Sequence, residues 1–107
     1  MAGAYVETAP SGRIVRVDDA FCTLTGRTEE ELVGHLRFVD VLWAGSQIVY
    51  EVRLTPLLDA AGAVTNLAVD IRRTDGMRVP VLVSASAERT ASGQTRLVRY
   101  TVRPTEG

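Results

Sequence analysis

The chain of 107 residues is 46% apolar and 23% charged, and its formal net charge is −1. This length holds one domain with one hydrophobic core, and the lack of a basic surplus argues against nucleic-acid binding, which requires neutralised phosphates. No apolar run approaches the roughly 20 residues of a membrane span. One Cys and one His exclude a disulfide framework and a zinc site with four Cys or His ligands.

Two features of the sequence indicate the cellular location and the source of the protein. The start, Met1–Pro10, lacks the basic and apolar regions of a secretory signal, so we expect a cytoplasmic domain with no membrane partner. All twelve basic residues are Arg, and Ala and Val are abundant. Because this bias is typical of GC-rich coding sequences, we also expect a bacterial source.

The first third of the chain predicts a β-hairpin followed by a short helix. Tyr5–Thr8 and Arg13–Val17 are β-rich runs on either side of a turn at Pro10–Gly12. Asp18 can cap the helix that follows. Gly26 suits the left-handed position that ends it.

A second short helix is indicated by a capping box, Thr28 followed by Glu31, and is expected to close at Gly34. Helices of one or two turns are not stable alone. Their apolar residues must therefore pack on a sheet. These residues are Phe21, Leu24, Leu32 and Val33.

The middle segment is compatible with two structures. From Ile48 to Thr55 apolar and polar residues nearly alternate, which favours a strand. Apolar residues also recur at helical spacing, at Tyr50, Leu54, Leu57, Leu58 and Ala61. Ser46 is placed to cap such a helix and Gly62 to end it. We favour the helix, broken or kinked near Pro56, whose missing N–H would leave the Val52 carbonyl free. Pro56 could instead be the first residue of a shorter helix capped by Thr55.

The last third predicts a three-stranded meander. Three β-rich stretches, 64–73, 78–89 and 96–103, are separated by the turn signals Asp75-Gly76 and Ser92-Gly93. Two strands, a helical middle and a meander predict an α+β fold: a five-stranded antiparallel sheet with short helices packed on one face.

Five motifs in this order resemble those of the PAS family of sensory domains. They are Gly12–Ile14, Asp18–Phe21, Leu24–Gly26, Glu30–Gly34 and Asp75-Gly76. The resemblance covers about residues 5–103, and we treat residues 1–107 as one PAS domain.

The resemblance implies a module that senses a ligand, dimerises with a second copy and catalyses nothing alone. It implies an effector in the parent protein, of the phosphatase, kinase or cyclase class. The segment from Tyr50 to Leu58 is similar to PAS domains attached to bacterial serine phosphatases and diguanylate cyclases. The sequence does not choose between these effectors.

Flavin is disfavoured by the residues present. The segment Gly34–Val39 is similar to the Cys-Arg-Phe-Leu stretch of light-oxygen-voltage domains, but Leu36 stands at the place of the reactive Cys. A thiol–flavin adduct needs sulfur beside the flavin ring. Cys22 lies on another helix, where we interpret it as a small apolar residue.

Haem and small carboxylates are disfavoured as well. Haem needs an axial ligand, and the single His, His35, is expected at a solvent-facing helix end. A carboxylate would need an inward Arg. Arg37 and Arg53 are the basic residues of the middle segment, and Arg53 falls on the polar face of either pattern.

The remaining candidate site is an interior pocket of aliphatic and aromatic residues. Its members are Phe38, Leu42, Trp43, Tyr50, Leu54, Leu58, Val69, Val83 and Tyr100. They either form only the hydrophobic core or also hold an apolar ligand such as a fatty acid. In the second case, Trp43 or Tyr50 would donate a hydrogen bond to the polar end of the ligand, and the carbonyl freed near Pro56 is a further polar anchor.

Two other functions stay open. A small cone-shaped isomerase could use Asp40, Asp70 and Tyr100, but strand alternation turns Asp70 outward, so we expect no enzyme. A ligand-free scaffold is the stronger alternative. The outer sheet face is expected to carry Leu82 and small residues at Ser84 and Ser86, which suits a homodimer interface or a docked helix.

Overall fold

A five-stranded antiparallel sheet forms the back of the molecule, with strand order β2-β1-β5-β4-β3. The computed structural model describes residues 3–105. The strands are β1 (Ala4–Thr8), β2 (Ile14–Val17), β3 (Ala63–Arg72), β4 (Arg78–Arg89) and β5 (Thr95–Pro104). The predicted α+β class, the hairpin and the meander are confirmed, with strand ends within two residues of those expected.

The helical elements all lie between β2 and β3 in the chain and pack on one face of the sheet. They are α1 (Asp19–Thr25), α2 (Glu29–Leu32), a 3₁₀ turn (Phe38–Val41), α3 (Ala44–Val49), a π-helical turn (Tyr50–Leu54) and α4 (Thr55–Ala61). Within residues 3–105, no helix is both long and apolar enough to cross a membrane.

The two short helices begin as the sequence predicts. Asp18 Oδ1 accepts a hydrogen bond from the Phe21 N–H at 2.9 Å, and Gly26 ends α1 with φ +72°. The Thr28–Glu31 capping box is present. The helix α2 ends earlier than expected, because Val33 is already extended.

The middle segment is helical throughout, without a break at Pro56, and the irregularity expected near this proline is a π-helical turn just before it. Residues 44–61 form one run in which Leu54 and Thr55 keep α-helical dihedral angles. The π-helical turn precedes Pro56. Its wider turn relieves the clash that a proline ring makes with the carbonyl four residues earlier.

The cap of this run also differs from the prediction. The helix begins at Ala44 with Trp43 at the cap position, two residues before the expected start at Ser46. Ser46 is buried inside the helix, where its Oγ accepts a hydrogen bond from the Asp70 N–H of β3 at 2.8 Å. The hydroxyl therefore joins helix to sheet, and the expected stop at Gly62 is confirmed by its φ of +78°.

The two faces of the sheet differ as strand alternation requires. Val81, Val83 and Ala85 of β4 point inward and are buried. On the outer face, Leu82 and Ser84 are half-exposed and Ser86 is exposed. The predicted composition of this outer face is confirmed.

Candidate functional site

The centre of the interior is closed by stacked aromatic rings. Phe38 stacks on Tyr100 with ring centroids 4.2 Å apart and an angle of 11°, and Phe21 lies 6.3 Å from Phe38. All three side chains are fully or almost fully buried. We call these three rings the aromatic centre. Phe38 is held there because its N–H donates to the Gly12 carbonyl at 2.9 Å.

Most of the residues predicted to line a pocket are part of the packed core, and three of the predicted residues, Tyr50, Leu58 and Tyr100, also line the cleft described below. Those that are buried in the described structure are Phe38, Leu42, Leu54, Leu58, Val69, Val83 and Tyr100. Tyr50 is half-buried, with its ring 6.2 Å from that of Phe38. The predicted residues therefore pack together in space, with one exception.

Trp43 is the exception. It lies beside β3, where its backbone N–H donates to the Asp70 carbonyl at 3.0 Å. The Arg78 guanidinium lies 5.4 Å from the centroid of its ring. The indole Nε1 is buried and has no acceptor among residues 3–105. Trp43 does not line the cleft described next, so it is not placed to anchor a ligand there.

A cleft of about 170 Å³ opens between the helices and one end of the sheet. Its walls come from the end of β1 and the following turn, from the π-helical turn and α4, and from β4 and β5. The lining residues are Thr8, Pro10, Gly12, Tyr50, Thr55, Leu58, Asp59, Ala87, Thr95, Val98 and Tyr100. We call it the hydroxyl cleft, because Thr8, Tyr50 and Tyr100 bring their hydroxyl groups together there.

The three hydroxyls lie close together, and among residues 3–105 that of Thr8 is left without a hydrogen-bond partner. The Tyr100 hydroxyl is next to those of Tyr50 and Thr8. Burial raises the pKa of the Tyr100 phenol, and the neighbouring Tyr50 raises it further, so Tyr100 stays protonated. Thr8 is fully buried, and its Oγ1 has no hydrogen-bond partner in the described part of the chain. Such a group costs about 1–3 kcal/mol.

Tyr50 is positioned by the π-helical turn. Its carbonyl accepts hydrogen bonds from the N–H of Thr55 and from the Thr55 Oγ1, the latter at 3.1 Å. The ring then reaches towards the β1–β2 turn, where Gly12 has φ +93°. A Cβ on Gly12 would lie 3.2 Å from the Tyr50 hydroxyl, so this glycine gives the tyrosine its space.

The charged candidates of the sequence lie elsewhere. His35, Arg37 and Arg53 are exposed, and none of them lines the cleft. Asp59 is the one charged residue in the lining as far as residues 3–105 show it. In the same range, no three Cys, His, Asp or Glu side chains meet where a metal ion could bind.

Except for Tyr100, the residues considered for a flavin adduct or for an isomerase also lie outside the cleft. Leu36 and Cys22 do not line it. Asp40 accepts a hydrogen bond from the Arg37 N–H at 2.8 Å, and Asp70 pairs with Arg78 at 3.1 Å. Two of the three proposed isomerase residues are thus engaged at the surface, away from the Tyr100 hydroxyl.

Sequence reasoning missed Thr8 and Gly12. The signal for Thr8 was available, since it follows Ala4 and Val6 on the inward-facing alternation of β1 and is the one polar residue there. A polar side chain at an inward position of a strand indicates a partner or a site. Gly12 was identified as a turn residue and as part of the Gly12–Ile14 motif, but nothing local links it to Tyr50.

The sequence and the fold agree with one family. Residues 2–103 match the family model described as PAS domain. A PAS domain from Colwellia psychrerythraea superposes with a TM-score of 0.87 at 16% identity, covering 96% of this chain and 86% of that chain. No curated protein matches the sequence.

Two further solved structures are similar. The LOV domain of the blue-light photoreceptor Aureochrome1 in its light state has a TM-score of 0.81 at 17% identity, with 98% of this chain and 83% of that chain covered. A PAS domain from a two-component sensor histidine kinase has a TM-score of 0.78 at 16% identity, with coverage of 96% and 85%. On the match of its sequence over residues 2–103, the chain belongs to the PAS domain family.

Proposed function

We propose that this chain is a cytoplasmic sensory module whose hydroxyl cleft binds a small molecule and which relays occupancy to an effector domain of the parent protein. The observation that supports this most is the cleft itself, in which the buried Thr8 hydroxyl lacks a partner among the residues that the structure describes. An unpaired buried hydroxyl beside an open space is more stable when a bound molecule completes its hydrogen bonds. The effector is of the phosphatase, kinase or cyclase class.

The volume of the cleft sets the size of the ligand. A cavity of roughly 150 Å³ holds a molecule such as benzene, and the cleft here is about 170 Å³. A long-chain fatty acid needs several times this space. The closed aromatic centre offers none, so an apolar chain of that length would require Phe38 to leave Tyr100.

The π-helical turn is the element through which occupancy would reach the surface. Tyr50 lines the cleft and begins this turn, and Val52 of the same turn is 63% exposed. A ligand that binds one position of Tyr50 more tightly than another shifts the population of the turn. We therefore place the output of the sensor on the outer face of this helix.

Native mass spectrometry of the purified chain, with a visible absorption spectrum, tests the proposal. We expect an adduct no heavier than a benzene-sized molecule, no visible band, and loss of the adduct in Tyr50→Ala but not in the control Met77→Ala, which alters an exposed turn residue. A haem or flavin spectrum would refute the proposal. So would a bare protein mass that no small-molecule mixture changes.

A ligand-free scaffold is the second candidate, because the aromatic centre fills the middle of the domain without a bound ligand. In that case a homodimer would form through the outer sheet face around Leu82. Sedimentation equilibrium of Leu82→Arg tests this, with Met77→Arg as the control for added charge. The scaffold predicts a dimer that only Leu82→Arg dissociates, whereas a monomeric wild type contradicts it.

A further inference from the structure

We propose that the ligand of the hydroxyl cleft is a small uncharged molecule that accepts a hydrogen bond, such as an amide or a polyol, and that Thr8 positions the Tyr100 hydroxyl for it. This inference rests on the proposed sensing function and names its ligand class. It follows from the charge, the size and the hydrogen-bond inventory of the cleft.

The charge of the lining disfavours ions. The lining within residues 3–105 contains no Arg and no His, and its one charged side chain is the carboxylate of Asp59, which is exposed at the mouth. Arg89, beside the end of α4, donates instead to the carbonyls of Leu58 and Asp59 at 2.8 and 3.2 Å. Burying an anion without an opposite charge is costly. A cation would have to stay at the mouth with Asp59.

The hydroxyls disfavour a purely apolar ligand. Tyr50 and Tyr100 both line the cleft, and the Thr8 Oγ1 lies buried beside the Tyr100 hydroxyl without a partner. An apolar molecule would offer no hydrogen bond to any of the three hydroxyls and would leave the Thr8 Oγ1 unpaired in a drier site. Because each unpaired buried hydroxyl costs free energy, the cleft disfavours a ligand that cannot form hydrogen bonds.

A hydrogen-bond acceptor completes the set. When the Tyr100 O–H donates to the ligand, the lone pairs of the Tyr100 oxygen are free to accept from the Thr8 O–H, because a phenol is both donor and acceptor. Thr8 then has its missing partner, and the Tyr100 proton is aimed into the cleft. Thr8 acts through Tyr100 and is a positioning residue. The Tyr50 hydroxyl, held above Gly12, supplies a second contact to the ligand.

Five small probes test the ligand class. Acetamide, acetate and acetamidinium share one shape and differ in charge, while glycerol and toluene contrast polar with apolar molecules. Titrations followed by protein NMR should give millimolar dissociation constants for acetamide and glycerol, because molecules of a few heavy atoms bind weakly. The other three probes should bind at least tenfold more weakly. Tyr100→Phe should abolish acetamide binding, and Thr8→Val should weaken it about fivefold.

Matched variants separate positioning from folding. Thr25→Val, which changes a buried threonine outside the cleft, should leave acetamide affinity unchanged. Tight binding of acetate, acetamidinium or toluene without acetamide would overturn the ligand class while sensing stands. Binding of none of the five, together with a bare native mass, would overturn sensing itself. Full acetamide affinity in Thr8→Val would overturn the role of Thr8.

Discussion

The aromatic centre and the hydroxyl cleft lie side by side, share Tyr100, and are built on opposite principles. At the centre, the Tyr100 ring stacks on Phe38 with ring centroids 4.2 Å apart, and both side chains are buried. At the cleft, the hydroxyl of the same residue lies beside an unpaired Thr8 in a space of about 170 Å³. The contrast teaches that the fold is closed at one end of this ring and keeps an open cleft, the proposed binding site, at the other.

Gly12 connects the two regions. Its carbonyl accepts from the Phe38 N–H and fixes the centre, while its missing side chain gives the Tyr50 hydroxyl its place at the cleft. Variants that affect one region and not the other can therefore test the comparison directly.

The largest expected effect is at the centre. Phe38→Ala should lower the free energy of unfolding by about 3–5 kcal/mol, because it leaves a cavity among fully packed rings. Leu58→Ala, at a residue that lines the cleft, should cost about 2 kcal/mol, at the low end of the range for such changes, since its surroundings are already open. Urea denaturation measures both. Equal losses would contradict the division into a closed and an open region.

The next effect concerns the shared glycine. Gly12→Ala and the control Gly34→Ala both force alanine to a positive φ, of +93° and +78°, and each should lose about 1–2 kcal/mol of stability. Only at Gly12 would the new Cβ touch Tyr50; at Gly34 no described atom lies within 4 Å. Acetamide affinity should therefore fall in Gly12→Ala alone. An equal acetamide affinity in both variants would show that Gly12 does not shape the cleft.

Alkaline pH tests the buried phenol. The folded pKa of Tyr100 is raised above its unfolded value near 10, so only the unfolded state releases this proton as pH rises past 10. Stability should fall there by up to about 1.4 kcal/mol per pH unit from this group. Tyr100→Phe should flatten the slope but not remove it, because burial and Glu7 also raise the pKa of Tyr5. An unchanged slope in Tyr100→Phe would be inconsistent with a buried, protonated Tyr100.

The smallest expected effect separates two buried threonines. Thr25 Oγ1 donates to the Phe21 carbonyl at 3.0 Å, so Thr25→Val should lose about 1 kcal/mol. Thr8 Oγ1 has no partner within residues 3–105, so Thr8→Val should be neutral or slightly stabilising in the empty protein. Thermal unfolding compares them. A Thr8→Val variant less stable than Thr25→Val would show that the Thr8 hydroxyl is already paired.

Local chemistry made the fold predictable from the sequence. The caps at Asp18 and Thr28, the glycine turns and the strand alternation each specify their element within a few residues. The helix near Pro56 was harder, because a proline predicts a break and only packing on the sheet shows that a π-helical turn accommodates it.

The candidate site was less predictable. Its polar groups come from three distant segments: Thr8 ends β1, Tyr50 begins the π-helical turn and Tyr100 lies in the middle of β5. Sequence periodicity places each on an inward face but does not say where packing stops. The same limit explains Trp43, whose indole was expected inside and lies instead at the sheet edge against Arg78.

Methyl-resolved NMR of the chain with added acetamide tests the central claim most directly. If the cleft binds and the centre is closed, the methyl groups of Thr8, Leu58 and Val98 will shift, while those of Leu42 and Val83 will stay in place. Shifts at Leu42 and Val83 without shifts at the cleft, or no shifts at all, would contradict the account.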